Sequence, residues 1–326
     1  MANGGTLPDD VLLKIFKFFG SESFSYHFER EKWLALVHVC RRWRNLVFTF
    51  PRHLNLLLLC RSPKRLVKRM LDIWPEQLPV CINGFGHRSR EAIDNVVAAL
   101  KLNHRVSVIC LQNTSTPAWE IFAPLMEHQF PELTHLSIEL FPPIQNVIPR
   151  SFLGGSAPCL QDLSLIGMLF PALPELLLSA TDLVRLRYDD VPCSGYISPQ
   201  AMVTSLSLLT RLESLSLTFQ LPRDLPDTAI RIPPPHTRTL LPALTYLCLR
   251  GVHGHVEDLV SQIDAPLLKG VEITLFHQEV LEVSQLAKFV RRVDSLSLIY
   301  RAEVTDDYVD SSCTLGEIKC CPTTHP

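Results

Sequence analysis

The sequence lacks the motifs that mark the common catalytic sites. It contains no G-x-S-x-G nucleophile motif, no Walker loop, no H-E-x-x-H zinc motif and no dinucleotide-binding fingerprint. One glycine-rich stretch, Leu153-Gly154-Gly155-Ser156, precedes a proline instead of opening a helix, so we interpret it as a turn. The twelve histidines are dispersed, and we interpret His253 and His255 as an exposed loop pair. We therefore expect no enzymatic activity and no cofactor.

Long apolar runs and an apolar leader are also missing. The longest aliphatic run, Leu54 to Cys60, contains Asn55 and is far shorter than the ~20 residues that a membrane helix needs. Met1 to Gly5 carries no apolar signal region. We expect neither a membrane partner nor a secretory route, and we expect the protein to act in the cytoplasm, the nucleus or both.

Cysteine is present without a disulfide or metal pattern. The ten cysteines are scattered and lie mostly in apolar runs, which is typical of reduced, buried thiols. One C-terminal group lacks the Cys-x₂-Cys spacing of zinc sites: Cys313, Cys320, Cys321 and His325. We expect no metal site.

Composition and charge describe a folded chain with a basic beginning. Hydrophobic residues make up 47% of the 326 residues and charged residues 20%, which is ample material for a core. Residues 1–70 contain 13 Lys and Arg against 5 Asp and Glu, so their net charge is +8 and that of the remainder is −10. The basic segment suits an acidic protein partner or nucleic acid, although it lacks an aromatic stacking platform and a recognition helix.

The first fifty residues contain an amphipathic helical pattern. Pro8 suits a first helical position, and Asp9 and Asp10 complement the dipole of a helix that begins there. Apolar residues then recur along one face until Gly20. A second apolar pattern begins at Trp33 and covers too many positions for one face, so we expect that helix to bury two faces.

These residues carry a family resemblance. Leu7-Pro8, Ile15-Phe16, Val39-Cys40, Arg41-Arg42-Trp43-Arg44 and Pro51 stand in the order that the F-box family uses, so the segment resembles an F-box, the helical module that docks on a Skp-type adaptor. The spacer from Gly20 to Lys32 is longer than the usual pattern, and the closing tryptophan is absent. Whether this spacer still permits adaptor binding stays open.

A repeat dominates the rest of the chain. The template apolar-x-x-apolar-x-apolar occurs eight times, at intervals of 23 to 32 residues, close to the period of about 20–29 of leucine-rich repeats. It begins at Val106, Leu133, Leu160, Leu183, Leu212, Leu244, Leu268 and Val293. Each template predicts a strand. Amphipathic patterns predict helices over 94–100, 172–178 and 201–209 and in the stripes that begin at Val256 and Val283, and these helices would cover one side of the stacked strands.

Proline placement supports these boundaries. Two residues before the first apolar position of four templates stand Pro131, Pro158, Pro242 and Pro266. Proline there ends the preceding helix and favours an extended entry into the strand. Because no asparagine recurs at the ninth repeat position, the array resembles the irregular repeats found behind F-boxes of the fungal type.

The predicted fold is α/β: a small N-terminal helical F-box followed by an irregular leucine-rich-repeat solenoid, with parallel strands on the concave face and helices and loops on the convex face. We predict an F-box-like helical domain at residues 5–60, a connecting segment and solenoid cap at 61–104, about eight repeats at 105–303, and a poorly ordered tail at 304–326. Whether that tail is a native cap or a truncation stays open.

The resemblance implies that the chain would be the non-catalytic substrate-recognition subunit of an SCF-type E3 ubiquitin ligase. The F-box would bind a Skp-type adaptor and through it a cullin scaffold, and the repeats would bind a target protein that the sequence does not identify. The resemblance assigns the adaptor contact to Leu7, Pro8, Leu12, Ile15, Phe16, Val39 and Trp43. Outward strand positions assign the target contact to His135, Asp162, Arg185, Arg187, Glu213, Tyr246, Glu272 and Asp294.

Each of these residues also has a simpler interpretation, as core packing for the first set and as exposed sheet surface for the second. Two alternative functions remain. One is a leucine-rich-repeat interaction scaffold without a ligase role, and the other is a basic nucleic-acid-binding protein.

Overall fold

The computed structural model describes residues 7–18, 34–50, 58–61, 75–76, 78–85, 89–141, 147–220, 238–276, 284–293, 296–303 and 315–322. Three short helices come first, and an α/β region with one large sheet follows. The N-terminal helices are α1 (Asp9–Lys17), α2 (Leu34–Val39) and α3 (Arg41–Thr49). Among the described residues, no helix is both long and apolar enough to cross a membrane.

The large sheet has eleven strands. Neighbours in its first part pair in parallel and in chain order, omitting only two short strands, β8 (Thr239–Leu240) and β10 (Ile263–Asp264), which pair with each other. The parallel strands are β1 (Leu58–Arg61), β2 (Val80–Phe85), β3 (Val106–Thr114), β4 (His135–Leu140), β5 (Asp162–Ile166), β6 (Arg185–Val191), β7 (Ser214–Phe219), β9 (Tyr246–Val252) and β11 (Gly270–Phe276).

The second half of each of the eight templates lies on a strand, which confirms the strand predictions, although in seven of them the first two or three residues precede the strand. The parallel array begins earlier than the templates, because β1 and β2 precede the first of them. Val80 and Cys81 are buried strand residues. Their segment was not predicted as a strand, because it lacks the apolar-x-x-apolar-x-apolar template.

The end of the sheet also differs from the prediction. The last template forms β12 (Leu296–Glu303), which does not pair with β11. Instead β13 (Leu315–Pro322) lies between them and is antiparallel to both. The segment 304–326, which we expected to be poorly ordered, therefore contributes a strand. Its Glu317-Ile318-Lys319-Cys320 stretch alternates polar and apolar residues, as a strand does, although it lacks the leucine template.

Helices connect most of the parallel strands. They are α4 (Arg90–Leu100), α5 (Thr116–Phe122), α6 (Leu173–Leu177), α7 (Pro199–Leu206), α8 (His253–Ser261) and α9 (Ser284–Arg291). The apolar patterns predicted all of these except α5, whose apolar stripe of Ala118, Trp119 and Phe122 is short. Buried residues of these helices form one continuous core with the inward residues of the strands.

A tight turn leads into the templates that follow a proline. The N–H of Leu133 donates to the carbonyl of Phe130 at 3.2 Å, so Pro131 occupies the second position of a four-residue turn, which its fixed φ favours. The same bond joins Leu160 to Ala157 at 3.2 Å. The entry is therefore a turn and not the extended segment that we expected.

The predicted turn at Leu153-Gly154-Gly155-Ser156 is confirmed in position. Leu153 and Gly154 have φ values of 55° and 68° within a short 3₁₀ segment, Phe152–Gly155. A Cβ atom added to Gly154 would lie 2.4 Å from Cγ of Gln129, so glycine is required there for space as well as for φ.

Candidate docking surfaces

The three N-terminal helices share a small apolar core of their own. Its fully buried members are Leu12, Phe16, Leu36, Val37, Leu46, Val47 and Leu78. Trp43 packs against this core, with its ring centroid 4.8 Å from that of Phe16 in an edge-to-face arrangement. The second apolar pattern of the sequence is thus divided between α2 and α3, which explains why it covered too many positions for one helix face.

Arg42 fixes the beginning of α1 against α3. Its Nη2 and Nε donate to Oδ1 of Asp9 at 2.6 and 3.0 Å, and Nη2 also donates to the carbonyl of Leu7 at 2.6 Å. Both partners are partly exposed, so the ion pair adds little stability and serves mainly to orient the chain. The consequence is that Leu7 and Pro8 are held in place on the surface.

The structure divides the seven predicted adaptor residues into two groups. Leu12 and Phe16 are buried and Trp43 is half-buried, so these three build the helical core. The other four remain exposed: Leu7, Pro8, Ile15 and Val39. Exposed apolar residues on a small helical unit are the type that binds a partner protein.

Two further exposed apolar residues were missed. Phe18 is 81% exposed and follows Ile15 by three positions, so both lie on one face of α1 and its C-cap. Phe50 is exposed at the end of α3, in a shallow groove that also contains Asn45 and Thr49. The i, i+3 spacing of Ile15 and Phe18 was the signal that could have identified Phe18.

Leu78 and Arg105 join the helical core to the sheet. Leu78 is buried among the N-terminal helices, two residues before β2 begins. The buried guanidinium of Arg105, one residue before β3, donates to the carbonyl of Leu78 at 3.0 and 3.3 Å and to that of Pro75 at 2.9 Å. The loop that carries Leu78 is therefore held from the sheet side.

One face of the sheet packs against the helices. The other face, which the described helices leave uncovered, is the candidate target surface. Side chains alternate along β4 between half-buried and buried, so Leu136, Ile138 and Leu140 enter the core and His135 points the other way. The parallel register places the residues that point away from the core side by side in rows across neighbouring strands. One row contains His135, Asp162, Arg185, Ser214 and Tyr246, and the next contains Ser137, Ser164, Arg187, Ser216, Cys248 and Glu272.

Ion pairs and hydrogen bonds join side chains on this face, both within a strand and between neighbouring strands. Nη2 and Nε of Arg185 donate to Oδ2 of Asp162 at 2.5 and 2.8 Å. Nε of Arg187 donates to Oδ2 of Asp189, whose Oδ1 accepts a hydrogen bond from the hydroxyl of Ser216 at 2.7 Å. Asp189 is buried, so these two donors compensate its lost hydration.

Burial shifts the pKa values of several titratable groups on the same face. Desolvation raises the pKa of Tyr246 to about 12, and its hydroxyl donates to Oε2 of Glu272 at 3.2 Å. Desolvation also raises the pKa of the Cys248 and Cys110 thiols and lowers the pKa of His135. At neutral pH these four groups are therefore uncharged, and the charges on this face come from carboxylates and guanidiniums.

Two predicted target residues are not on these rows. Glu213 is exposed but precedes β7, and its carbonyl accepts the N–H groups of Thr245 and Tyr246, so Ser214 takes the outward position that we assigned to Glu213. Asp294 lies outside the described residues. Arg250, an exposed residue paired with Thr218 across β7 and β9, was missed because it follows the template.

The histidine pair is not an exposed loop. His253 and His255 lie in the first turn of α8, and the ring of His255 contacts those of Tyr196 and Phe219 at centroid distances of 4.9 and 5.4 Å. Burial lowers the pKa of His255 to about 4, so the ring is neutral and serves as packing. The polar character of histidine concealed this role in the sequence.

No group of three or more His, Cys, Asp or Glu side chains within the described part of the chain is placed to hold a metal ion. Cys320 and Cys321 lie in β13, whereas Cys313 and His325 fall outside that part. The cysteines whose side chains are described are free thiols: Cys40, Cys81, Cys110, Cys159 and Cys248.

Comparison with known proteins identifies one matching family. Residues 5–56 match the model of the F-box-like family. This match covers α1, α2 and α3 and ends before β1. The chain matches no curated protein and no solved structure. The N-terminal helical segment is therefore F-box-like, and the region that follows it is a mixed α/β region with a parallel sheet.

Proposed function

We propose that this chain is the substrate-recognition subunit of an SCF-type ubiquitin ligase. Its N-terminal helices dock on a Skp-type adaptor, the adaptor connects them to a cullin scaffold, and the uncovered face of the sheet binds a target protein. The observation that carries the proposal is the match of residues 5–56 to the F-box-like family. Leu7, Ile15 and Val39 support it, because they are apolar side chains left exposed by a segment that has already formed its own core.

The proposal includes the organisation of the chain. Residues 5–60 form the F-box-like module, residues 61–104 connect it to the sheet, and residues 105–303 form an irregular leucine-rich-repeat array. The support for the array is the coincidence of all eight templates with strands, seven of which pair in parallel. The sheet face would then be the concave side of a solenoid.

The mechanism is positioning rather than chemistry. A target held on the sheet face is tethered to the scaffold through the adaptor, which raises the effective concentration of its lysines near a charged conjugating enzyme. Other subunits carry out the transfer.

The free thiols agree with action in the cytoplasm or the nucleus, where cysteines stay reduced.

The test is direct binding of the intact chain to a purified Skp-type adaptor. We expect Ile15→Ser to weaken binding at least about tenfold, as loss of a central apolar contact does. Phe141→Ser is the matched control, because Phe141 is 61% exposed and lies after β4, away from the F-box-like helices. If the wild-type chain does not bind the adaptor, the ligase proposal is wrong.

Adaptor binding and a DNA-binding assay together separate the two alternatives. A scaffold without a ligase role keeps the sheet face as a binding surface but gives no adaptor complex. A nucleic-acid-binding protein would use the +8 charge of residues 1–70, and its affinity for a DNA duplex would fall steeply as salt rises from 50 to 200 mM, by about three powers of ten or more if six phosphates are contacted.

A further inference from the structure

A small pocket, the Leu240 pocket, lies where β8, β10 and α9 meet. Its volume is about 260 Å³, and Leu240, Asp264, Phe289 and Arg292 are among its lining residues. Pockets for small organic ligands have volumes of roughly 300–1,000 Å³. The Leu240 pocket therefore fits one large side chain of a protein better than a small organic molecule.

One wall of the pocket is apolar and open to solvent. Leu240 is 56% exposed, and the register pairs it with Asp264 across β8 and β10, so both side chains lie on one side of the small sheet. Phe289 and Val293 close the pocket from α9 and are buried. An apolar side chain that enters here removes exposed leucine surface from water, which favours binding.

Arg292 and Asp264 form an ion pair inside the pocket. Nε of Arg292 lies 3.0 Å from Oδ1 of Asp264, and Nη2 donates to the carbonyls of Ile263 and Val260 at 3.1 and 3.4 Å. The guanidinium also lies 5.7 Å from the ring centroid of Phe289. The charge of Asp264 is thus offset by an arginine whose position is fixed on several sides.

A second arginine adds a positive charge beside this pair. Arg238 is exposed and stands two residues before Leu240, so alternation puts both side chains on the same side of the chain. It donates through Nε to the carbonyl of Ser261 at 3.1 Å, and no described residue accepts from its Nη groups. Burial lowers the pKa of Arg292, Asp264 opposes this shift and Arg238 adds to it. The two arginines are therefore close enough to repel each other, and together they have one carboxylate.

The elements around the pocket are slightly basic, although residues 71–326 as a whole carry a net charge of −10. The described charged side chains of α8, α9, β10 and the residue before β8 are four cations and three carboxylates, a net charge of +1: Arg238, Lys288, Arg291, Arg292, Glu257, Asp258 and Asp264. Glu257 accepts the first N–H groups of α9, at the end of that helix away from Arg292. An anion beside Arg238 would offset the repulsion between the two arginines.

We propose that the Leu240 pocket binds an extended segment of a partner protein in which a large apolar residue and an acidic residue stand two positions apart. The apolar side chain covers Leu240 and Phe289, and the carboxylate accepts charge-assisted hydrogen bonds from the Nη groups of Arg238. The spacing follows from Arg238 and Leu240, because alternate side chains of an extended chain stand about 6.6 Å apart in pocket and ligand alike. The inference goes beyond the proposed function, since this site lies outside both the F-box-like helices and the uncovered face.

The test uses three fluorescein-labelled peptides of nine residues with the intact chain. Glycine and serine flank a central Leu-Ser-Glu, Leu-Ser-Gln or Ser-Ser-Glu, and binding is followed by fluorescence anisotropy at 50 mM NaCl. We expect the Leu-Ser-Glu peptide to bind at least tenfold more tightly than either of the others, because each of them lacks one of the two contacts. Equal binding of the three peptides, or no binding of any, would overturn the inference.

Variants of Arg238 test the anion contact. Arg238→Gln should remove the preference for Leu-Ser-Glu over Leu-Ser-Gln, and Arg238→Lys, which keeps the charge, should retain part of it. Unchanged affinity of Arg238→Gln for the Leu-Ser-Gln peptide shows that the pocket is still formed. Arg211→Gln is the matched control, because Arg211 is exposed and pairs with Asp182 before β7. If Arg238→Gln keeps the full preference, the proposed site is wrong.

Leu240→Ser tests the apolar contact and should weaken both leucine peptides about tenfold. Leu178→Ser is its control, because Leu178 is 48% exposed and lies after α6. Equal affinities in the two variants would also overturn the inference. All of these positions lie outside residues 5–56, so each variant should bind the Skp-type adaptor like the wild-type chain, and failure of the peptide test leaves the proposed function standing.

Discussion

Replacing Leu78 with alanine should loosen the N-terminal helices without unfolding the sheet. Leu78 is 1% exposed and belongs to a core that has seven buried apolar residues in the described part of the chain, the other six of which lie on the helices themselves. A buried Leu→Ala change costs about 2–5 kcal/mol, because the transferred surface is lost and the cavity closes only in part. We take ~3 kcal/mol, which corresponds to a factor of about 100 in an opening equilibrium.

Hydrogen exchange followed by mass spectrometry on the intact chain measures this factor locally. In Leu78→Ala, amides of α1 and α3 should exchange about 100-fold faster, and amides of β4 and β5, which belong to the separate large core, should exchange as in the wild-type chain. Leu178→Ala is the control, because Leu178 is 48% exposed and its truncation leaves no cavity. If amide exchange accelerates equally in helices and strands, or does not accelerate in the helices, then Leu78 does not stabilise the N-terminal helices locally and the reasoning is refuted.

Three other buried groups allow further predictions. Arg105→Met leaves two carbonyls without the guanidinium and should lower the free energy of unfolding by about 1–3 kcal/mol, measured by urea denaturation. Glu257→Gln replaces the carboxylate that accepts the first N–H groups of α9 with an amide that has one acceptor oxygen. We expect it to lower the free energy of unfolding by about 1–2 kcal/mol, whereas the exposed Glu175→Gln should not lower it measurably. The folded-state pKa of His255, about 4, lies below the 6.5 of an exposed histidine, so its contribution is complete above pH 6.5 and is lost as pH falls toward 4, by up to about 3 kcal/mol; urea midpoints of His255→Gln should lack this part of the acid dependence.

Local patterns predicted the strands correctly because each template is a local structure. The leucines at the fourth and sixth positions are two residues apart, which puts both on the inward side of a strand, and Leu163 and Leu165 are both buried in this way. Proline before the template marks the boundary, although as part of a turn. The stripe of Val256, Leu259 and Val260 likewise predicted α8.

The pairing at the end of the sheet could not be predicted in this way, because it depends on residues far apart in the chain. Nothing local in Leu315–Pro322 indicates that this segment enters between β11 and β12. Local patterns also could not predict which residues of the F-box-like segment are buried. Ile15 and Phe16 are adjacent and both apolar, yet Phe16 enters the core with Trp43 and Ile15 stays outside, which depends on the packing of α1 against α3.

The alternation along each strand has an evolutionary consequence. Inward residues such as Leu215 and Leu217 touch the common core, so a change in their volume is selected against through stability. Outward residues such as Ser214 and Ser216 contact only their neighbours on the face. One half of each strand can therefore vary as partners change while the other half is maintained, and relatives of this chain should differ most at every second residue of their strands.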